Sequence, residues 1–400
     1  MGKLLGYKKT ALGWIPEEWS VTNFSQCLHD IIGGGTPSKQ EEAYWQGHIP
    51  WATVKDLSNK NSEDTIDHIT QLGLINSSAK LIPARVNIIA TRMAVGSHSR
   101  FNCEVAINQD LKALIPNNSL LLDDYLQWIL TYKKPYLSSL GGGSTVSGIR
   151  LAEIRTMEVA LPHLPEQIKI AQILSTWDKA ITQTQKLMEA KKRLKQGLMQ
   201  KLLTKGVEVS LSQVLTRVGD PVTLEPDQIY REIGIRSHGK GLFIKEDTNA
   251  EKIGDKRVYW VQRDCFVLNI VFAWERAIAI TSEKEVGCIA SHRFPMYKPH
   301  SEKLNLRYLF YFFLSDKGVD LLKLASPGGA GRNKTLGQDN FKKTKITLPS
   351  IEEQNLIAST LFFCDQEIDL LQKKLSTIQR QKQGLMQKLL TGQIRVKVEN

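Results

Sequence analysis

Several polar, basic, glycine-bearing stretches hold the side chains best suited to touching a polyanion. Gly33-Gly34-Gly35-Thr36-Pro37-Ser38-Lys39 offers backbone N–H groups, the Thr36 and Ser38 hydroxyls and the Lys39 ammonium, a set that suits close approach to phosphate. Arg92, Ser97, His98, Arg100 and Asn102 crowd a second stretch, where arginine or asparagine would pair bidentately with guanine or adenine edges. Ser144 and Thr145 follow the run Gly141-Gly142-Gly143. In the second half, Arg236-Ser237-His238-Gly239-Lys240 and Arg332-Asn333-Lys334-Thr335 supply comparable chemistry. Each of these side chains, taken alone, reads equally well as a solvated loop charge; the set together carries the expectation of DNA contact.

Other chemistries fail on specific residues. Gly234-Ile235-Arg236-Ser237-His238-Gly239-Lys240-Gly241 approximates a phosphate-binding Walker A loop, but Gly241 stands where a serine or threonine would hold magnesium. The Pro226-Asp227 pair is not followed by an acidic-x-lysine triplet, so the metal-binding core of a common nuclease fold is missing. There is no G-x-G-x-x-G loop and no Asn-Pro-Pro-aromatic motif of the kind that grips an extruded base in amino-methyltransferases. Cys288 and His292 are the nearest approach to a metal-ligand spacing, and two ligands are too few. The expectation is a chain without catalytic residues, metal or cofactor of its own.

The elements that must position the loops are announced by an internal repeat. Sliding the sequence by 187 positions lays Leu161–Thr204 on Leu348–Thr391, with about half of the aligned positions identical and the run QGLMQKLLT shared whole. Each copy opens on a Leu-Pro stop and a Glu-Gln pair, then runs on without proline for nearly forty residues, as a long helix requires. In the second copy Ile357, Leu361, Cys364, Ile368, Leu371, Leu375, Ile378, Leu385 and Leu389 alternate by fours and threes, broken at Lys382. The same register in the first copy gives Ile170, Leu174, Trp177, Ile181, Thr184, Met188, Leu198 and Leu202. Matching coiled-coil seams predict two helices that pack on each other. At about 1.5 Å per residue, about 38 residues make a rod roughly 57 Å long, more than the ~34–36 Å between half-sites one DNA turn apart. Gly197 and Gly384 are expected to mark a kink or a close helix contact.

Around the repeat lie two stretches of about 150 residues, rich in short β-branched and aromatic runs punctuated by glycine, proline and asparagine. The expected fold is α+β: two mixed α/β target-recognition domains separated by two long antiparallel coiled-coil-like helices, related by a pseudo-two-fold internal repeat. The boundaries read as 1–160 for the first recognition domain, 161–205 for a central helix, 206–347 for the second recognition domain and 348–400 for a C-terminal helix and tail. Outside the repeat the halves share little, so one architecture carries two surface chemistries.

Composition agrees. Lys and Arg number 53 against 41 acidic residues, a net charge of +12, as suits a polyanion partner. The five cysteines are scattered without disulfide spacing, which fits a reducing cytoplasm. No apolar run is long enough for a membrane span, and the first residues do not read as a signal peptide.

These features together resemble the specificity subunits of type I restriction-modification systems. The segments that carry the resemblance are LPHLPEQIKIAQILSTWDKAI at 161–181, EEQNLIASTLFFCDQEID at 352–369 and the doubled QGLMQKLLT. GWIPEEW at 13–19, GGGTPS at 33–38, YWQGHIPWATVKDL at 44–57, NQDLKAL at 108–114 and REIGIRSHGKGLFIKE at 231–246 add to it. The resemblance implies a cytoplasmic, non-catalytic subunit that binds double-stranded DNA, each recognition domain reading one half of a bipartite site and the helices setting the gap. It implies two methyltransferase subunits as partners, and ATP-dependent restriction subunits for cleavage. S-adenosylmethionine, ATP and magnesium would belong to those partners. The rival readings are a coiled-coil scaffold without DNA specificity and a bifunctional enzyme with its own methyltransferase or nuclease.

Overall fold

A computed structural model describes residues 5–58, 62–141, 148–328 and 334–398. Four helices organise it, here α1 (Asp123–Leu140), α2 (Leu164–Leu202), α3 (Leu306–Leu314) and α4 (Ile351–Leu390). Contacts divide the chain into two units, Met1–Thr184 with Lys374–Asn400, and Gln185–Lys373, so both long helices change unit part-way along. The repeat is thus two uninterrupted helices of 39 and 40 residues. Of the kink or close helix contact expected at Gly197 and Gly384, the close contact is not found: a Cβ on either would meet nothing within 4 Å.

In the first unit one sheet runs in the order Asp67–Ile69, Trp45–Ala52, Val105–Ile107, Lys80–Ile82. Its central pair is parallel and its outer pairs are antiparallel. A second, all-antiparallel sheet runs Leu28–Gly33, Leu111–Pro116, Asn87–Ala90, His98–Ser99. The short pair Ser20–Asn23 with Glu158–Leu161 closes the domain just before α2. Asn87–Ala90 is buried throughout, so Ile88, Ile89 and Ala90 do not alternate with polar residues, and the buried Asn87 amide donates to the Asp123 carbonyl at 2.9 Å.

The second unit repeats this plan with different residues. One sheet runs Asp220–Pro221, Val258–Trp260, Ile289–Ser291, Ile229–Ile235, Leu242–Asn249, with Ile289–Ser291 parallel to Ile229–Ile235. The antiparallel sheet runs Leu215–Val218, Met296–Pro299, Phe266–Leu268, Ile278–Ile280, and Val207–Ser210 pairs with Lys345–Leu348 before α4.

Within each unit, parts of the two long helices run antiparallel and share the core. In the first, Ile170 and Leu174 of α2 are buried with Leu389 and Leu390 of α4 and with Tyr125, Leu126 and Ile129 of α1. In the second, Ile357 and Leu361 of α4 are buried with Leu203, Tyr308, Leu309 and Phe312. No seam position named from the sequence is exposed. Where the apolar seam breaks, Lys382 bonds Asp178 at 2.5 Å and lies 4.5 Å from the Trp128 ring centroid. Lys195 bonds Asp365 at 2.5 Å in the second unit and lies 5.1 Å from the Tyr311 ring.

Candidate nucleic-acid interface

In the first domain the loop ends of the antiparallel sheet bring together two of the expected residues, Thr36 and Arg92. Gly35 N–H donates to the Ile107 carbonyl at 3.0 Å, and a Cβ on Gly34 would overlap that carbonyl. The glycines therefore let the chain pass tightly over the neighbouring strand, and the Gly35 N–H is already used. Thr36 follows, its hydroxyl 2.6 Å from the Gln109 side-chain carbonyl. Lys112 Nζ donates to the Gln109 backbone carbonyl at 2.8 Å. Burial and then repulsion from Arg92 lower the Lys112 ammonium from its usual pKa, with Asp110 opposing. Thr91 N–H donates to the Asp110 carbonyl at 2.8 Å, the exposed Arg92 forms a bridge with Gly148, and Ile149 N–H reaches the Thr91 carbonyl at 2.8 Å. Thr36 and Arg92, far apart in sequence, thus meet around the turn Asn108–Leu111. Gln109 and Lys112, which sequence reasoning left unassigned, belong to the same group; their motif, NQDLKAL, was the available signal.

The remaining first-domain candidates disperse. Ser38 is exposed and its carbonyl accepts the Trp45 indole N–H at 2.9 Å, while Lys39 stands on the wall of an open groove of about 660 Å³ shared with Trp45, Trp51 and His68. Ser97 is half-buried and its carbonyl accepts the Ala90 N–H at 2.8 Å. His98 has both ring nitrogens engaged, with the Thr131 hydroxyl at 3.0 Å and the Gly96 carbonyl at 3.2 Å. Burial holds it below its ordinary pKa of 6.5, so at neutral pH it is an uncharged packing group. Arg100 bonds Asp124 at 2.6 Å. Ser144 and Thr145 lie outside the described residues, as do Arg332 and Asn333.

In the second domain, Arg236 donates to the Leu242 carbonyl at 2.9 Å and stacks 4.7 Å from the Phe243 ring centroid, leaving its side chain exposed along the Ile229–Ile235 and Leu242–Asn249 hairpin. Ser237 Oγ donates to the Glu275 carboxylate at 3.1 Å and the His238 N–H to the Glu275 carbonyl at 2.9 Å. His238 itself has φ +62°, and the exposed Lys240 sits between Gly239 and Gly241 at the hairpin tip. Lys334 Nζ lies 5.8 Å from the Trp274 ring centroid, in cation–π range. The loop 269–277 therefore joins Ser237, His238 and Lys334.

Strand order sets the correspondence between the domains. The counterpart of the Arg92 loop is 270–277, between Phe266–Leu268 and Ile278–Ile280, and not the 236–240 hairpin suggested by residue type. Backbone bonds agree: Leu336 N–H reaches the Ile270 carbonyl at 2.8 Å, as Ile149 reaches Thr91. Among the described residues no group of three or more His, Cys, Asp or Glu is placed to hold a metal ion, and no helix is long and apolar enough to cross a membrane.

Comparison with known proteins agrees with this architecture. Residues 16–192 and 248–380 match the type I restriction modification DNA specificity domain, and the chain belongs to that family. It is 25% identical to the type I restriction enzyme MjaVIII specificity subunit of Methanocaldococcus jannaschii, over 96% of this chain and 94% of that one. It is 21% identical to the StySPI specificity subunit of Salmonella potsdam, over 96% and 90% of the two chains. Among solved structures, the type I S subunit from M. genitalium aligns with TM-score 0.56 at 14% identity, over 93% of this chain and 96% of that one. The HsdS subunit from Thermoanaerobacter tengcongensis aligns with TM-score 0.53 at 13% identity, over 95% and 98%. These likenesses establish the same fold.

Proposed function

We propose that this chain is the DNA-recognition subunit of a type I restriction-modification complex, each recognition domain reading one half of a bipartite double-stranded site. The observation that carries the reading is a duplicated scaffold with unlike loops: the same sheets and the same loop-anchoring bonds hold Thr91-Arg92 in one domain and Ile270-Val271 in the other. Two copies of one fold with one surface would read a symmetric site; two surfaces read an asymmetric one. Arg92, Lys112, Lys39, Lys240 and Lys334 supply phosphate attraction that carries no sequence information and weakens with salt. Base edges are distinguished by a few arginine, asparagine and hydroxyl side chains at about 1–3 kcal/mol per good pair.

In this reading the paired helices set the unspecified gap and dock two methyltransferase subunits, and ATP-driven restriction subunits join for cleavage. S-adenosylmethionine, ATP and magnesium are bound by those partners, and the complex works in the cytoplasm. A helical scaffold without DNA specificity is disfavoured because the matched family regions extend well beyond the helices, over most of the first recognition domain and much of the second. Binding to DNA duplexes at several salt concentrations, by the chain alone and with methyltransferase subunits, tests the reading. Salt-steep binding that becomes sequence-selective in the complex is expected. Binding that ignores both salt and sequence would refute it.

A further inference from the structure

The turns Asn108–Leu111 and Ser291–Phe294 occupy the same place in the two domains and are built by the same bonds. Asp110 N–H donates to Asn108 Oδ1 at 3.1 Å, and Arg293 N–H to Ser291 Oγ at 3.3 Å. Leu111 N–H reaches the Asn108 carbonyl at 3.3 Å, and Phe294 N–H the Ser291 carbonyl at 2.8 Å. The third residue of each turn then offers its carbonyl to the facing loop, Asp110 to Thr91 at 2.8 Å and Arg293 to Ile270 at 3.0 Å. In both turns the backbone and a short polar cap do the holding. The third side chain differs: the Asp110 carboxylate also accepts the Asn108 Nδ2 at 3.3 Å, whereas the Arg293 guanidinium makes no side-chain bond in its own turn among the described residues.

Arg293 is exposed, and among the described residues it makes no ion pair. Beside it, His292 borders a cavity of about 210 Å³ lined also by Arg217, Gly219 and Tyr259, and its Nδ1 is buried without a hydrogen-bond partner. The exposed guanidinium of Arg293, with no carboxylate on it among the described residues, is the donor group this turn offers to an outside acceptor. The major-groove edge of guanine presents two, O6 and N7, at the spacing of an arginine fork. In the first domain the same turn presents the Asp110 carboxylate beside the Gln109 amide, which suits the exocyclic amine of cytosine.

Resting on the DNA-recognition reading above, we infer that this turn carries a base-reading side chain, with Arg293 reading a guanine in the half-site of the second domain. The backbone bonds fix where the third side chain projects, and exchanging that side chain changes the base it accepts.

The test maps methylated sites made by the complete complex carrying wild-type chain, Arg293→Ala or Arg293→Lys. Lysine keeps a phosphate-seeking charge and loses the bidentate fork. Both variants are expected to lose discrimination at one guanine position of one half-site by about tenfold to a hundredfold, with the other half-site unchanged. Asp110→Asn is expected to relax only the opposite half. If Arg293→Lys keeps the wild-type motif, or both Arg293 variants change only the overall rate, Arg293 is a phosphate contact and the inference falls. A wild-type complex that shows no sequence motif at all would instead overturn the DNA-recognition reading.

Discussion

Lys382 Nζ lies 2.5 Å from Asp178 Oδ1, joining α4 to α2 at the one place where the apolar seam of α4 is interrupted. Lys195 and Asp365, their counterparts in the repeat, make the same bond at the same distance in the other unit. The ammonium of Lys382 is largely buried, with 16% of its side chain exposed, whereas Asp178 keeps 47%. A hydrophobic seam alone tolerates sliding by a heptad; a charge pair at one level of it does not.

A double-mutant cycle on Asp178→Ala and Lys382→Ala should therefore show a coupling energy of about 1–2 kcal/mol in denaturant unfolding, between the values for exposed and buried pairs. Asp365 and Lys195 should give a similar figure. Strict additivity of the single mutants would remove the register-setting role.

Gln167 and Gln354 form a second repeated joint. Gln167 Nε2 donates to the carbonyls of Leu120 at 2.7 Å and Pro162 at 3.0 Å, and its Oε1 accepts the Leu122 N–H at 3.0 Å. Gln354 makes the matching bonds to Lys303, Pro349 and Asn305, at 3.0, 3.0 and 2.9 Å. Both side chains are buried and fully used, so each long helix is tied to the start of α1 or α3. Gln354→Ala leaves buried backbone groups without partners and should cost about 2 kcal/mol. Hydrogen exchange at the Asn305 amide should rise while protection at Leu122 is unchanged. Equal change at both sites would mean that the joints are not independent.

Acid sensitivity should trace to His98. Burial depresses its pKa in the folded chain, with Lys134 adding repulsion and the Gly96 carbonyl opposing. The unfolded chain, titrating near 6.5, then binds the proton more readily. The stability held in a neutral His98 is full above pH 6.5 and drains away as the pH falls towards the folded value. Lowering the pH from 7.5 to 5.5 should reduce the unfolding temperature of the wild type more than that of His98→Gln. Equal losses would contradict it.

Much of this was legible in the sequence. The helix pair was, because a repeat and a seam are periodic signals that need no partner to be seen. The break at Lys382 was visible too, but its meaning was not, since Asp178 lies 204 residues away and becomes a neighbour only in one antiparallel register. In the sequence Glu166 is merely half of a helix-opening pair. It is in fact 3% exposed, bonded by the Trp19 indole at 3.0 Å and by Arg395 at 2.8 and 3.0 Å, which ties the C-terminal tail into the first unit. Residue type alone singles out Arg92 and Arg236 and pairs their loops as equivalents, a pairing the strand order does not support. Strand order, which no local pattern encodes, decides which loops correspond.

The proposal that the helices set the gap makes a separate claim. Seven residues added to α2 after Thr184, matched by seven in α4 after Lys373, lengthen each helix by roughly 10.5 Å. The gap in the recognised sequence should grow by about three base pairs at ~3.4 Å each. A gap that stays the same would mean the spacing is set elsewhere.

The most direct measurement is a map of methylated adenines across a host genome with and without this chain. The account predicts one chain-dependent motif with two unlike halves separated by a fixed run of unspecified bases. A motif that is continuous or palindromic, or methylation that does not change when the chain is removed, would contradict it.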